Sequence, residues 1–186
     1  MITILALGNS LTTGYGLAPE ASFASRLQQA LRREGRDVRV IDGGVSGDTA
    51  YDGLRRIDRL LGYNPDLVTV EFGTNDWFLG LPVEEIKANL ARIIDKCQDA
   101  RALVLLTGFR SLSGQGEAYD ARFHGLYQEL AREKQVPLMP DFLPGIPGNL
   151  KLTLPDGLHP NEAGVDAIVA AILPVLRPMI DGGVDG

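Results

Sequence analysis

Ile2-Thr3-Ile4-Leu5-Ala6-Leu7-Gly8-Asn9-Ser10-Leu11 is an apolar run that stops at a glycine and turns polar at once. A run apolar at both odd and even positions has no solvent face, as in a parallel strand covered by helices on both sides. Gly8 closes the strand, and Ser10 starts a helix-like turn directly after it. At the first turn of a helix a backbone N–H has no intrahelical partner, and a hydroxyl can face outward. Taken alone, Ser10 reads equally well as an ordinary N-cap serine.

Outward from this segment, strand and helix patterns alternate to the end of the chain. Phe23, Leu27 and Leu31 recur at helical spacing until Gly35 stops them. Val38 to Ile41 predicts a second strand, closed by Asp42-Gly43-Gly44. A helix over roughly 49–61 carries Leu54, Ile57 and Leu61 on one face. Leu67 to Phe72 predicts a third strand and Glu84 to Cys97 a third helix. Ala102 to Leu106 predicts a fourth strand, Phe123, Leu126, Tyr127 and Leu130 another helix, and Pro137-Leu138-Met139 a short last strand. An irregular stretch of about 140–156 precedes a helix bearing Val165, Ile168, Val169 and Ile172, which Pro174 is expected to kink or end.

Strands alternating with helices imply an α/β fold with a parallel sheet covered on both faces. Right-handed crossovers then predict a three-layer α/β/α sandwich with a five-stranded parallel sheet in the flavodoxin-like order 2-1-3-4-5. One domain over 1–180 and a flexible tail over 181–186 are expected. Sites in such sheets form at the carboxyl ends of the strands. Three polar, glycine-bearing loops share that edge: Gly8-Asn9-Ser10, Gly44 to Asp48, and Gly73-Thr74-Asn75-Asp76. Asp156-Gly157-Leu158-His159-Pro160, just before the last helix, can open onto the same edge.

Composition narrows the classes of function. A net charge of −6 across 186 residues leaves no basic stripe for nucleic acid. The single cysteine, Cys97, excludes an internal disulfide and a multi-cysteine metal site, and it extends the apolar series Ile86, Leu90, Ile93, Ile94. No apolar run is expected to span a bilayer, and no basic segment precedes a hydrophobic one near Met1. The chain as written reads as cytoplasmic, or as periplasmic or secreted if an export signal has been removed.

Asp156 and His159 are spaced so that the carboxylate can bond one ring nitrogen while the other faces a substrate. A solvated turn before a helix is the plain alternative. Asn75 could donate to a developing oxyanion, with the backbone N–H groups of Ser10 and Gly47; a turn asparagine is its plain alternative. His124 sits beside an apolar stripe with no acid at triad spacing and reads as a surface helix position. Asp76 reads as a loop-bonding residue.

The ordered set Gly-Asn-Ser-Leu, Gly-Gly-Val-Ser-Gly-Asp, Gly-Thr-Asn-Asp and Asp-Gly-Leu-His-Pro resembles the GDSL or SGNH hydrolase superfamily over nearly the whole chain. It is most similar to the bacterial thioesterase/protease/lysophospholipase and arylesterase branch. The resemblance implies catalytic Ser10, Asp156 and His159, an oxyanion hole of Ser10, Gly47 and Asn75, and no metal or organic cofactor. It also implies a small acyl ester or thioester as substrate, with no nucleic acid and no stable membrane insertion. The loop over Gly108 to Tyr119 is expected to shape the acyl pocket, with Trp77, Phe78, Phe109 and Leu158 near the substrate. One departure stands out: the family's first block is Gly-Asp-Ser, and here Asn9 replaces the Asp. A carbohydrate O-acetyl esterase of the same superfamily, a flavodoxin-like FMN carrier and a non-catalytic relative are the alternatives.

Overall fold

The computed structural model describes residues 1–183. Its strands are β1 (Ile2–Gly8), β2 (Val38–Gly44), β3 (Leu67–Glu71), β4 (Leu103–Thr107) and β5 (Leu138–Met139). They form one parallel sheet in the order β2-β1-β3-β4-β5, as the alternation of elements predicts. β1 is central to the site because it pairs on both sides: Gly8 lies opposite Gly44 on β2 and opposite Glu71 on β3. Three loops therefore leave the sheet at the same level.

The helices are α1 (Ser10–Thr13), α2 (Phe23–Arg33), α3 (Ala50–Leu61), α4 (Thr74–Phe78), α5 (Val83–Asp99), α6 (Glu117–Lys134) and α7 (Glu162–Gly183). α2 packs with α7, while α3, α5 and α6 pack in series. The step from β1 to β2 runs opposite to the later steps, so right-handed crossovers put these two sets on opposite faces. Ile4, Leu5, Leu7, Val68, Leu105 and Leu106 are fully enclosed between them. Each such side chain contributes roughly 1.5–3 kcal/mol by leaving water.

Local chemistry sets the element ends near the site. Thr49 caps α3 in a capping box: its hydroxyl accepts from the Asp52 N–H, and the Asp52 carboxylate accepts from the Thr49 N–H at 3.0 Å. Thr74, Asn75 and Asp76, expected within a loop, instead open the short helix α4, and Gly73 stands at its N-cap. Its φ of +135° favours glycine, and a Cβ there would come within 1.8 Å of the Tyr127 hydroxyl, which donates to the Phe72 carbonyl.

The last helix departs from expectation. α7 runs through Pro174 and Pro178 to Gly183, so 181–183 are helical and not part of a tail; 184–186 lie outside the described residues. Each internal proline removes a hydrogen bond and costs about 3 kcal/mol. Leu176 and Ile180, buried beyond Pro174, offset that cost, and Arg36 grips Asp181 at 2.8 Å. Glu162–Gly182 also reaches 21 residues at a mean hydropathy of 1.7, long and apolar enough to cross a membrane, contrary to the expectation from sequence. Its apolar face (Val165, Ile168, Ile172, Leu176) is buried against α2, β4 and β5, as in a core helix.

Candidate active site

The Ser10 turn is built from beneath. Asn9 is the N-cap of α1: its Oδ1 accepts from the Leu11 N–H at 3.0 Å, and its Nδ2 donates to Thr74 Oγ1 at 2.8 Å. Both contacts are buried, so the amide ties the end of β1 to α4. Ser10 follows as the first helical residue, and its N–H has no hydrogen-bond partner among the described residues. The Ser10 carbonyl accepts from the N–H groups of Gly14 and Tyr15, closing the helix after one turn.

Under this turn lies Glu71. Its Oε2 accepts from the Asn9 N–H at 2.9 Å and from Thr12 Oγ1 at 3.0 Å, while Oε1 has no partner among the described residues. Gly8 makes the space: a Cβ there would come 2.2 Å from both Glu71 Oε2 and Thr12 Oγ1. Burial pushes the Glu71 carboxyl up to about 8, so it is largely protonated at neutral pH.

His159 reaches Ser10 from the segment before α7. Its Nε2 lies 3.1 Å from Ser10 Oγ, and its Nδ1 is bonded to Asp156 Oδ2. The other carboxylate oxygen, Oδ1, accepts from the N–H groups of Leu158 and His159, both at 3.0 Å. Burial alone would raise the Asp156 carboxyl, but these N–H bonds and the imidazole outweigh it and hold it below the usual carboxylate range. An ionised carboxylate only accepts, so Nδ1 carries the ring proton and Nε2 presents its lone pair to the serine. The Tyr15 ring leans on the imidazole, centroids 4.5 Å apart and tilted by 38°. The serine, imidazole and carboxylate thus form a continuous hydrogen-bonded line across 149 residues of sequence.

The remaining two loops bring donors. Asn75, in the first turn of α4, gives one Nδ2 hydrogen to the Asp48 carbonyl at 2.8 Å, and the other has no partner among the described residues. Gly47 has φ +87°, and its N–H has no partner among the described residues. Both carboxylate oxygens of Asp76 accept from the Ala50 N–H at the start of α3, and burial raises its carboxyl to about 6.

The side chains expected near the substrate divide. Phe78 is half-exposed and Leu158 half-buried. Trp77 is buried, its indole N–H donating to Asp120 Oδ1 at 2.9 Å. Phe109, expected at the substrate, is a core residue instead. Its ring packs against Tyr127 and Phe142, with centroids 5.8 and 6.3 Å away, and its backbone forms an isolated bridge to Asp141. His124 is likewise not a free surface residue: it is half-buried and its Nε2 bonds the Leu112 carbonyl, because buried Leu112 draws that loop onto α6.

Sequence reasoning passed over Glu71, Tyr15 and Asp120. Glu71 alone left a signal, as a carboxyl inside the otherwise apolar stretch Leu67 to Phe72. Asp120, which accepts from Trp77 Nε1 and from the Gly114 N–H at 2.7 Å, joins the loops after β3 and β4 and left none.

Comparison with known proteins agrees with this architecture. Residues 6–167 match the GDSL-like Lipase/Acylhydrolase family. An arylesterase of Vibrio mimicus is 40% identical over 158 residues, spanning 84% of this chain and 79% of that protein. Thioesterase 1/protease 1/lysophospholipase L1 of Escherichia coli K12 is 31% identical over 180 residues, spanning 96% and 85%. The crystal structure of the psychrotrophic esterase EstA from Pseudoalteromonas sp., inhibited by monoethylphosphonate, superposes with a TM-score of 0.91 at 31% identity, covering 98% of this chain and all of that one. By matched length, sequence identity and fold alike, the chain belongs to the GDSL-like lipase/acylhydrolase family of SGNH esterases.

Proposed function

We propose that this ester hydrolase cleaves small acyl esters and thioesters through a Ser10–His159–Asp156 triad and an acyl-enzyme. The observation that carries the reading is the 3.1 Å approach of His159 Nε2 to Ser10 Oγ with Asp156 bonded to the opposite ring nitrogen. Ser10 Oγ attacks the substrate carbonyl carbon while His159 Nε2 takes its proton. Asp156 stabilises the imidazolium that results. The tetrahedral oxyanion accepts hydrogen bonds from the Ser10 N–H, the Gly47 N–H and the uncommitted Nδ2 hydrogen of Asn75. Collapse expels the alcohol or thiol, which takes the proton from His159. Water then attacks the acyl-enzyme by the same route and releases the acid.

The substrate class follows from two supports. Relatives carry the names arylesterase and thioesterase, and exposed aromatic surface (Tyr15 beside His159, Phe78 after the Asn75 turn) suits acyl or aryl groups. The test is hydrolysis of p-nitrophenyl acyl esters by the parent chain and by Ser10→Ala. The variant should melt like the parent and lose turnover entirely; retained turnover would overturn the assignment. A fluorophosphonate should label the parent at Ser10 and leave Ser10→Ala unlabelled.

A further inference from the structure

Behind the oxyanion donors lies the Arg56 guanidinium. It projects from α3, is mostly buried and stacks over Phe72 with its carbon 5.9 Å from the ring centroid. All three nitrogens are engaged, each with a different segment. Nε donates to Asp48 Oδ2 at 2.7 Å, Nη1 to the Gly43 carbonyl at 2.8 Å and Nη2 to the Gly8 carbonyl at 2.8 Å. Gly8 ends β1 just before the nucleophile turn, and Gly43 lies at the end of β2. Asp48 follows Gly47 directly, and its carbonyl is the acceptor that orients the Asn75 amide.

We propose that Arg56 is a positioning residue of the oxyanion hole, its planar fork setting the spacing of the donors on Ser10, Gly47 and Asn75. The inference rests on the Ser10 mechanism proposed above. An amide with one N–H committed to a fixed carbonyl has its remaining N–H aimed in one direction. Arg56 holds that carbonyl through Asp48 and holds the strand end that carries Ser10 through Gly8. A lysine would bring the charge without the fork, since a single ammonium on a flexible stem cannot bond three divergent acceptors in this plane.

The experiment compares Arg56→Lys, Asp48→Ala and the double variant with the parent chain. It reads kcat and KM on p-nitrophenyl butyrate, inhibition by a trifluoromethyl ketone that forms a tetrahedral adduct, and thermal melting. Each single variant should lose about 10- to 100-fold in kcat, since displaced oxyanion donors cost rate and not ground-state binding. KM should move by less than about threefold, and the ketone's inhibition constant should rise in step with the fall in kcat/KM. Residues acting through one clamp are not additive, so the double variant should be no slower than the slower single. A lower melting temperature with unchanged kcat and ketone affinity would overturn the proposal, as would additive losses. Should Arg56→Lys fail to fold, Asp48→Ala decides alone, because it removes only the carboxylate that Arg56 grips. Full turnover by Ser10→Ala would sink the mechanism and this proposal together. An inactive Ser10→Ala with an unimpaired Asp48→Ala would sink the proposal alone.

Discussion

Replacing Glu71 by glutamine should stabilise the protein, and by more as the pH rises. The carboxyl is enclosed under the Ser10 turn with no cation bonded to it among the described residues, and burial lifts it from an ordinary 4.5 to about 8. A group with a raised folded value holds its proton in the native state after the unfolded chain has released it. Its contribution to stability is intact below about pH 4.5, declines as pH rises and levels off above about pH 8. Each unit of that interval is about 1.4 kcal/mol, so the native state forfeits roughly 3 kcal/mol at pH 7 and roughly 5 kcal/mol at pH 9. Glutamine keeps an oxygen to accept from the Asn9 N–H and Thr12 Oγ1, and its NH₂ takes the place of Oε1, which has no partner among the described residues. The substitution therefore mimics the protonated acid without the proton linkage. Urea denaturation of both chains at pH 5, 7 and 9 should give nearly equal stabilities at pH 5 and a gap that widens to several kcal/mol at pH 9. Parallel stability profiles, or a glutamine variant weaker at pH 9, would refute the account of Glu71 as a buried, unpaired acid.

Other outcomes follow from the same geometry. Asn9→Asp keeps the cap on the Leu11 N–H and loses the donor to Thr74, whose hydroxyl can reverse and donate instead; kcat/KM at pH 6.5 should stay within about threefold, and a loss of a hundredfold would show the amide to be essential. Asp156→Ala removes the acceptor on His159 Nδ1 and should lower kcat by about 10⁴-fold, measured on a p-nitrophenyl ester, with little change in melting temperature. Cys97 is fully buried on α5, and desolvation pushes its thiol up to about 12, so a disulfide reagent should react with it only in denaturant. Rapid modification in buffer would contradict the packing of α5.

The Asn9 departure takes on a different meaning beside Glu71. In isolation an asparagine in the family's aspartate position reads as a lost charge near the nucleophile. In the fold its backbone N–H bonds the Glu71 carboxyl and its side chain spans to α4. A carboxylate there would stand beside a second buried acid, whereas the neutral amide caps α1 and adds a donor. The pairing is invisible along the chain because its partners are 62 and 65 residues away.

What this sequence determined by itself is everything governed by local period and by loop position. Apolar runs ending at glycine specify buried parallel strands, helical spacing specifies their covers, and right-handed crossovers leave the order β2-β1-β3-β4-β5 as the default. That topology brings Ser10, Gly47, Asn75 and the Asp156–His159 segment to one edge before any distance is known. Tertiary structure alone decided which side chains turn inward and what lies behind the site. Phe109 joined the core, its ring packed against Tyr127 and Phe142. α7 continued past Pro174 because its buried face outlasts the lost hydrogen bond. Arg56, one charge among many in the sequence, became a clamp on three segments, and Glu71 became a buried acid with no counter-charge among the described residues. Periodicity reports the environment of a residue relative to its neighbours in the chain, whereas burial of a polar group and the partners that satisfy it are set by residues distant in sequence.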